Sequence, residues 1–223
     1  MYTLYNYFRS STSYRVRIAL NYKNIPYRQK GVNLVKGEQW SPEYTGLNPQ
    51  GAVPVLIDEN GYALTQSLAI LDYLEETHPA PSFYPEDVKE RAFVRQIALI
   101  VSCDIHPVNN LRVLKYLTEN LGISEEQKLD WYQKWIYDNM SSIEIMLNKS
   151  PHHNKGEYCC GSAPTIADFC LIPQVYNARR YSCDMTRFPL IEAVEQKCLA
   201  HPAFIKADPH TQPDTPEELR RTG

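Results

Sequence analysis

The sequence lacks an excess of positive charge, long apolar runs and cysteine pairs spaced for metal binding. Its 223 residues carry a net charge of −3, which gives no electrostatic basis for binding nucleic acid. No apolar run approaches the roughly 18 residues of a membrane span, and the chain does not start with a basic segment followed by an apolar stretch of signal-peptide type. We therefore expect a cytoplasmic protein that binds neither nucleic acid nor a membrane.

Cysteine pairs of the C-x-x-C type are absent, although the chain has six cysteines, all beyond residue 100. This spacing argues against a zinc site and against a dithiol redox motif. Cys159 and Cys160 are adjacent, which is a poor geometry for two ligands of one ion and a strained one for a disulfide. We expect reduced, structural thiols and no metal.

The first twenty residues predict a strand that leads directly into a helix. Residues 2–8 are rich in aromatic and β-prone side chains, which favours a short buried strand. From Ser13 onward the apolar residues recur at helical spacing, and one of the preceding hydroxyls would cap the helix. Such a helix start, lined with hydroxyl and guanidinium groups, favours a bound anion or thiolate. Capping alone would also explain the hydroxyls.

The remainder of the first 77 residues predicts a second strand, a hairpin and a closing helix. Residues 25–32 alternate weakly, whereas residues 51–58 and 62–65 predict a hairpin in which Val53–Pro54 is a candidate cis peptide. Helical spacing returns at residues 68–76, with Ser67 as a plausible cap. The order β-α-β, an irregular segment, then β-β-α is typical of a thioredoxin-like domain.

Three prolines within residues 78–85 predict a linker, and beyond it helical spacing dominates. Helices are expected at about 86–105, 108–120, 124–149, 165–180, 189–200 and 202–207. Thr165 and Asp168 fit a capping box, whereas Pro107 and Pro173 should bend or interrupt their helices. We expect a thioredoxin-like domain at 1–80, a linker at 78–85 and an all-α domain at 86–223, whose last residues form a surface tail.

The stretch Ser10–Leu20 resembles the signature S-S-C-x-[W/H]-R-V-R-I-A-L of the zeta-class glutathione transferases. Further similar segments are Leu47–Pro49 before Val53–Pro54, Gln66–Ile70, Asp104–Asn110, Ala167–Asp168, Pro173–Val175 and Gln212–Pro216. The resemblance covers nearly the whole chain. One departure is Thr12, which stands where the family motif has cysteine, as in some bacterial members of the class. This weakens any role that needs a protein thiol at that position.

The resemblance implies a homodimeric enzyme that uses glutathione to isomerise maleylacetoacetate to fumarylacetoacetate in tyrosine and phenylalanine breakdown. Reversible addition of the glutathione thiolate would allow the cis double bond to rotate. Two alternatives within the family are maleylpyruvate isomerisation, and conjugation or dehalogenation of small haloacids. A third is a glutathione transferase-like binding module without turnover, against which the intact Ser10, Gln66 and Ser67 count.

The resemblance also implies site residues. Ser10 would donate a hydrogen bond to the thiolate, and the catalytic group is Ser10, Ser11, Thr12 and Arg15. Glutathione-binding residues would be these four with Ser13, Tyr14, Gln39, Val53, Gln66, Ser67, His106, Asn110, Leu111 and Arg112. Binding of a maleyl dicarboxylate would involve Arg9, His106, Asn110, Arg112 and Arg180.

Within the glutathione set, Gln39 is expected at the glycine end, the Val53 backbone at the cysteinyl amide, and Gln66 with Ser67 at the γ-glutamyl group. Among the substrate residues, His106 could instead be a packed histidine before a proline. Arg179 and Arg180 could belong to a solvated helix face, but Arg180 is the one that matches the family pattern.

Overall fold

The structure is a computed structural model that describes residues 1–153 and 157–221. The chain forms two compact units, one comprising Met1–Ser82 with Leu199–Gly223 and the other Phe83–Cys198. The point of division lies inside the segment 78–85. The C-terminal segment groups with the first unit, which differs from the division expected from the sequence.

A four-stranded sheet forms the centre of the first unit. Its strands are β1 (Tyr2–Asn6), β2 (Tyr27–Gly31), β3 (Val55–Ile57) and β4 (Ala63–Thr65). They lie in the order β2-β1-β3-β4, where β1 pairs in parallel with β2 and antiparallel with β3, and β3 pairs antiparallel with β4. The parallel pair requires a crossover connection, which a helix between β1 and β2 supplies.

Three helices accompany the sheet. They are α1 (Ser11–Tyr22), α2 (Pro42–Leu47) and α3 (Ser67–Thr77). The first and the last confirm the predicted order of elements, and the short middle one lies in the segment expected to be irregular. Helix α1 is buried along almost its whole length and packs against α3. The core includes fully buried side chains from β1, β3 and both long helices, among them Leu4, Leu20, Leu56, Ile70 and Leu74. Each such side chain contributes about 1.5–3 kcal/mol to the free energy of folding through its burial. The first turn of α1 is therefore attached to a well-packed core.

The loop before β3 has a fixed shape. Its Val53–Pro54 peptide is cis, as the sequence predicts. Gly51 has a positive φ of 59°, and a Cβ atom added there would lie 2.3 Å from the ring of Trp40. The Ala52 carbonyl accepts hydrogen bonds of 2.7 Å from the Tyr44 hydroxyl and the Asn48 amide. These contacts fix the backbone that leads into Val53.

All the regular secondary structure in the described part of the second unit is helical. Its helices are α4 (Val88–Leu99), α5 (His106–Asn109), α6 (Leu111–Lys115), α7 (Glu125–Lys149), α8 (Ile166–Arg180) and α9 (Pro189–Leu199). Residues Ile100–Ile105 and Tyr116–Asn120 are π-helical. None of the helices that the structure describes is long and apolar enough to cross a membrane.

The two prolines expected to disturb helices behave differently. Pro107 is the second residue of α5, directly after the π-helical turns, so the helical hydrogen bonding does change near it. Pro173 lies inside α8, which continues to Arg180, so of the two predicted effects the interruption does not occur. Almost every side chain around Pro173 is buried, and this packing holds the helix together despite the missing N–H donor.

Asp168 caps α8 from a fully buried position, which confirms the predicted capping box. Its carboxylate accepts hydrogen bonds from the backbone N–H of Cys159 (2.8 Å) and Thr165 (2.7 Å), and from the Thr165 hydroxyl (2.8 Å). Burial raises the pKa of Asp168, while these donors oppose the rise. The carboxylate therefore joins the start of α8 to the segment before it.

Five of the six cysteines are buried and the sixth, Cys103, is exposed. Burial raises the pKa values of the Cys159 and Cys198 thiols well above the ordinary value of a cysteine thiol, so these two are poor nucleophiles. Within residues 1–153 and 157–221, no three His, Cys, Asp or Glu side chains are grouped to hold a metal ion.

The C-terminal segment is packed into the first unit instead of forming a loose surface tail. Helix α10 (Pro202–Ala207) lies against α1. Beyond it, Gln212 and Thr215 are only 3% and 2% exposed. Gln212 accepts a 3.0 Å hydrogen bond from Gln29 of β2. Polar side chains that fit specific partners thus give a Pro-rich segment a defined position, which its composition did not indicate.

Replacing Asp168 with alanine should lower the free energy of unfolding by about 3–5 kcal/mol, because three buried donors would lose their acceptor. Urea unfolding followed by circular dichroism measures this. Asp138→Ala is the control, since Asp138 forms an exposed ion pair with Lys134 and its loss should cost less than about 0.5 kcal/mol. Equal effects of the two substitutions would contradict the assignment.

Candidate active site

Ser10 is placed by the turn between β1 and α1. Its backbone N–H donates to the Tyr7 carbonyl at 2.9 Å, which closes the turn. Its side-chain oxygen caps α1 by accepting a 3.2 Å hydrogen bond from the backbone N–H of Ser13. A hydroxyl is thereby fixed at the positive end of a twelve-residue helix.

A short chain of hydroxyls runs from Ser10 to the loop before β3. Ser10 Oγ and Thr12 Oγ1 lie 2.9 Å apart, and Thr12 Oγ1 donates to the Val53 carbonyl at 2.9 Å. Because Thr12 has a single hydroxyl proton, Ser10 must be the donor in the bond that the two share. The chain therefore joins the start of α1 to the residue before the cis peptide.

Exposure separates the side chains at the start of α1. Ser11, Ser13 and Tyr14 are buried, whereas Ser10 and Thr12 are half-buried. The Tyr14 ring packs against the guanidinium of Arg17, with 5.2 Å between that group and the ring centre. A ligand outside the turn therefore reaches the hydroxyls of Ser10 and Thr12 more readily than the other three side chains.

Arg15 and Ser67 meet although 52 residues separate them. The Arg15 guanidinium, only 1% exposed, donates a 3.2 Å hydrogen bond to the hydroxyl of Ser67. Ser67 is the first residue of α3, where backbone N–H groups have no partner within the helix. A buried cation and a helix start together favour a carboxylate at this point.

Gln66 precedes α3 with a positive φ of 66°, which is uncommon for a residue other than glycine. Its exposed side-chain amide donates a 2.8 Å hydrogen bond to Gln50 Oε1. Gln50 was not among the residues expected from the sequence. It lies in the loop that leads to Val53, so this contact links the two loops on which Gln66 and Val53 lie.

Gln39 lies in the 3-10 turn Glu38–Trp40 and is 9% exposed. Its Nε2 group donates to the Leu34 carbonyl at 3.5 Å, while its buried Oε1 atom has no hydrogen-bond partner within the described residues. Such an acceptor is costly to bury unless a ligand donates to it.

Arg9, directly before Ser10, places its guanidinium 5.7 Å from the rings of Tyr7 and Phe8.

The other expected site residues lie in the second unit, around the start of α5 and α6. Asn110 caps α6, since its Oδ1 accepts from Val113 N at 3.1 Å and its Nδ2 donates to the Pro107 carbonyl at 2.8 Å. Both of its polar groups are therefore used within the unit. Leu111 and Arg112 are exposed at the start of α6, and His106 is half-buried at the start of α5.

Arg179 and Arg180 end α8 but have different surroundings. Arg179 donates to both carboxylate oxygens of Glu195 and to Glu192, and these partners raise its pKa. Arg180 is exposed and lies beside the rings of Tyr176 and Tyr181, without an ion pair in the part of the chain that the structure describes. Its charge remains available to an anionic ligand, which supports the preference for Arg180.

The chain is similar both to a family model and to individual known proteins. Residues 1–76 match the family model of the glutathione S-transferase N-terminal domain. A probable maleylacetoacetate isomerase of Vibrio cholerae serotype O1 is 47% identical over 213 residues, which are 95% of this chain and 97% of that protein.

Two solved structures are also similar. One is the holo structure of a maleylpyruvate isomerase, a bacterial glutathione S-transferase of the zeta class, with 43% identity and a TM-score of 0.92 over 96% of this chain and all of that one. The other is maleylacetoacetate isomerase from Methylobacterium extorquens AM1 with bound malonate and glutathione. It has 37% identity and a TM-score of 0.92 over 96% of this chain and 99% of that one.

Ser10→Ala should raise the pKa of a bound glutathione thiol by about 1 to 2 pH units, because a hydrogen bond to the thiolate contributes about 1.5–3 kcal/mol. The pKa is measured by following the ultraviolet absorbance of the thiolate as a function of pH. Ser10→Thr keeps a hydroxyl and should restore the lower pKa. If the bound thiol keeps its wild-type pKa in Ser10→Ala but has a raised pKa in Ser11→Ala, the role belongs to Ser11.

Proposed function

The chain belongs to the zeta class of the glutathione transferases, and from that premise we propose that it isomerises maleylacetoacetate to fumarylacetoacetate with glutathione as cofactor. The observation that carries the proposal is the half-buried Ser10 hydroxyl at the start of α1, held in the chain through Thr12 to Val53. A helix start with a hydroxyl donor stabilises a thiolate.

The residues present fit glutathione at three points. Arg15 and Ser67 suit the carboxylate of its γ-glutamyl end, because a buried cation and a helix start both favour an anion. The backbone at Val53, held by the hydrogen bonds to its own carbonyl and to that of Ala52, suits its cysteinyl amide. The unsatisfied Gln39 Oε1 suits an N–H donor near its glycine end. We propose these roles, with Gln66 and Gln50 beside the γ-glutamyl group.

Glutathione held by these residues would supply a thiolate for reversible addition to the cis double bond, which would allow rotation before elimination restores the alkene. A free thiol with a pKa of about 8.5 is only about 3% ionised at pH 7, and lowering that pKa by about 2 requires roughly 2.7 kcal/mol. The start of α1 contributes about 0.3–2 kcal/mol and a hydrogen bond from Ser10 about 1.5–3 kcal/mol. The two together are sufficient.

Ser10 must turn its hydroxyl to act in this way. In the contact between the two hydroxyls its proton points to Thr12, and donation to sulfur requires rotation about one side-chain bond. The backbone N–H of Ser13 can continue to donate to Ser10 Oγ after that rotation, because it uses an oxygen lone pair. Ser13 therefore polarises the Ser10 hydroxyl and strengthens it as a donor.

The substrate carries carboxylates, and we propose that arginines bind them. Arg180 is the first candidate, because it matches the family pattern, is exposed and, unlike its neighbour Arg179, is outside any ion pair among the described residues. Arg9 adjoins Ser10, and Arg112 is exposed on α6. For Asn110 the proposed contribution is limited to fixing the start of α6, since both of its side-chain groups are engaged there.

Maleylpyruvate is the second candidate substrate. Thr12 leaves the choice between the two maleyl compounds open, since it stands where the family motif has cysteine, as in some bacterial maleylpyruvate isomerases of the class. The Thr12 hydroxyl also serves the Ser10–Val53 connection, so the substitution keeps the site intact. Conjugation or dehalogenation of small haloacids would use the same thiolate.

Each substrate should be offered separately to the purified protein, with and without glutathione, while the absorbance of the maleyl compound is followed. The proposal expects isomerisation of maleylacetoacetate that requires glutathione and regenerates it. Faster turnover of maleylpyruvate would make that compound the main substrate. Tight glutathione binding without turnover of either compound, or of a haloacid, would favour a binding module.

We further propose that the protein is a homodimer and that it acts in tyrosine and phenylalanine breakdown in the cytoplasm. Support for a dimer comes from α4, which exposes the apolar side chains of Val88 and Leu99 alongside charged and polar residues. A surface that carries both kinds of residue suits a self-complementary, two-fold contact. Sedimentation across a broad concentration range should show dimers, and a monomer at high concentration would refute this.

Arg180→Ala should raise the KM for the maleyl substrate roughly 10-fold or more and leave thermal stability nearly unchanged, because its proposed partner is a substrate carboxylate. Arg179→Ala is the matched control on the same helix end. That variant loses the contacts to Glu192 and Glu195 and should lower the melting temperature with the KM retained. The reverse pattern would assign substrate binding to Arg179.

A further inference from the structure

Phe8 has both of its backbone polar groups held by side chains from elsewhere in the chain. Its N–H donates to Asp214 Oδ2 at 2.7 Å, and its carbonyl accepts from Arg17 Nη2 at 2.9 Å. Phe8 lies inside the turn that the hydrogen bond from Ser10 N to the Tyr7 carbonyl closes. Any shift of the Phe8 backbone would therefore be passed to Ser10.

Asn6 completes a closed ring of hydrogen bonds around this turn. Its Nδ2 group donates to Asp214 Oδ1 at 3.1 Å, and its Oδ1 atom accepts from Arg17 Nη1 at 2.6 Å. Asn6 and Arg17 are fully buried. Burial lowers the pKa of Arg17 to about 10, so the guanidinium stays charged at neutral pH. Burial also raises the pKa of Asp214. Such rings lose more than one contact when a member is removed.

Gly31, at the end of β2, leaves the space that Asp214 needs. A Cβ atom added to Gly31 would lie 3.0 Å from the Asp214 Cβ atom, closer than nearly all real contacts of that kind. Gln212 anchors the chain just before Asp214 by accepting a hydrogen bond from Gln29 of β2. The carboxylate therefore reaches Phe8 from a segment with a defined course.

We propose that Asp214 is a positioning residue for Ser10: together with Arg17 and Asn6 it fixes the Phe8 turn and so holds the Ser10 hydroxyl against the bound thiol. This inference rests on the proposed function, because it concerns the same hydroxyl. It extends the machinery to the C-terminal segment, 206 residues away along the sequence from Phe8. Misplacement of a reacting group by about 1 Å can lower a rate about 100-fold.

Asp214→Asn tests the proposal, since an amide keeps the size of the carboxylate but replaces one of its two acceptors with a donor. The variant should show a kcat reduced roughly 10- to 100-fold and a raised pKa of the bound glutathione thiol, with the KM for the maleyl substrate retained. Thr215→Val is the matched control. It removes the hydrogen bond from Thr215 to the Pro209 carbonyl in the same segment without touching Phe8.

Wild-type values of kcat and thiol pKa in Asp214→Asn would overturn the proposal. Equal changes in Thr215→Val, at matched loss of melting temperature, would also overturn it, because general loosening of the segment would then be the cause. If Asp214→Asn does not fold, Gly31→Ala takes its place, since its Cβ would push the Asp214 Cβ atom away by a few tenths of an ångström, and an unchanged thiol pKa in that variant refutes the role.

The thiol titration needs glutathione alone. Failure of the wild-type protein to isomerise either maleyl compound would therefore sink the proposed function while leaving the test of Asp214 intact.

Discussion

The turn between β1 and α1 depends on one buried cation, the guanidinium of Arg17. It donates to Asn6, to the Phe8 carbonyl and to the carbonyl of Ala207. A fully buried charge is tolerated only when its donors are satisfied, so each of these acceptors is held in place by the energetic cost of leaving the guanidinium unpaired. The strand end, the turn and the C-terminal segment are thus fixed together. Ser10 inherits its position from them.

A second buried arginine on the same helix links the two helix starts of the site. Arg15 extends from α1 to Ser67 at the beginning of α3. Both helices present their positive ends where the γ-glutamyl group and the thiol of glutathione are proposed to bind, so the cofactor's charges are met by fixed dipoles. Fixed dipoles need no reorganisation when the thiolate forms, which is the physical advantage of building the site on helix starts.

Thr12 shows how a departure from a family motif can preserve a site. Cysteine at this position would be a weak hydrogen-bond donor, whereas the threonine hydroxyl donates to Val53 and accepts from Ser10. The replacement therefore strengthens the link between α1 and the loop that contains the cis peptide. It also removes a thiol from the neighbourhood of the reacting sulfur, which leaves glutathione as the sulfur nucleophile of the proposed reaction.

Local patterns in the sequence determined the strands and helices of the first 77 residues, the helical character of the second unit and the Thr165–Asp168 capping box, because spacing and turn residues act over a few positions. Tertiary structure alone decided that Asp214 holds Phe8, that Arg15 meets Ser67 and that Gln50 meets Gln66, since 206, 52 and 16 residues separate these pairs. It likewise kept α8 intact at Pro173. Periodicity carries no information about which distant polar groups pair. Burial decides the pairing of Asp214 with Phe8 and of Arg15 with Ser67, because it makes an unpaired group costly.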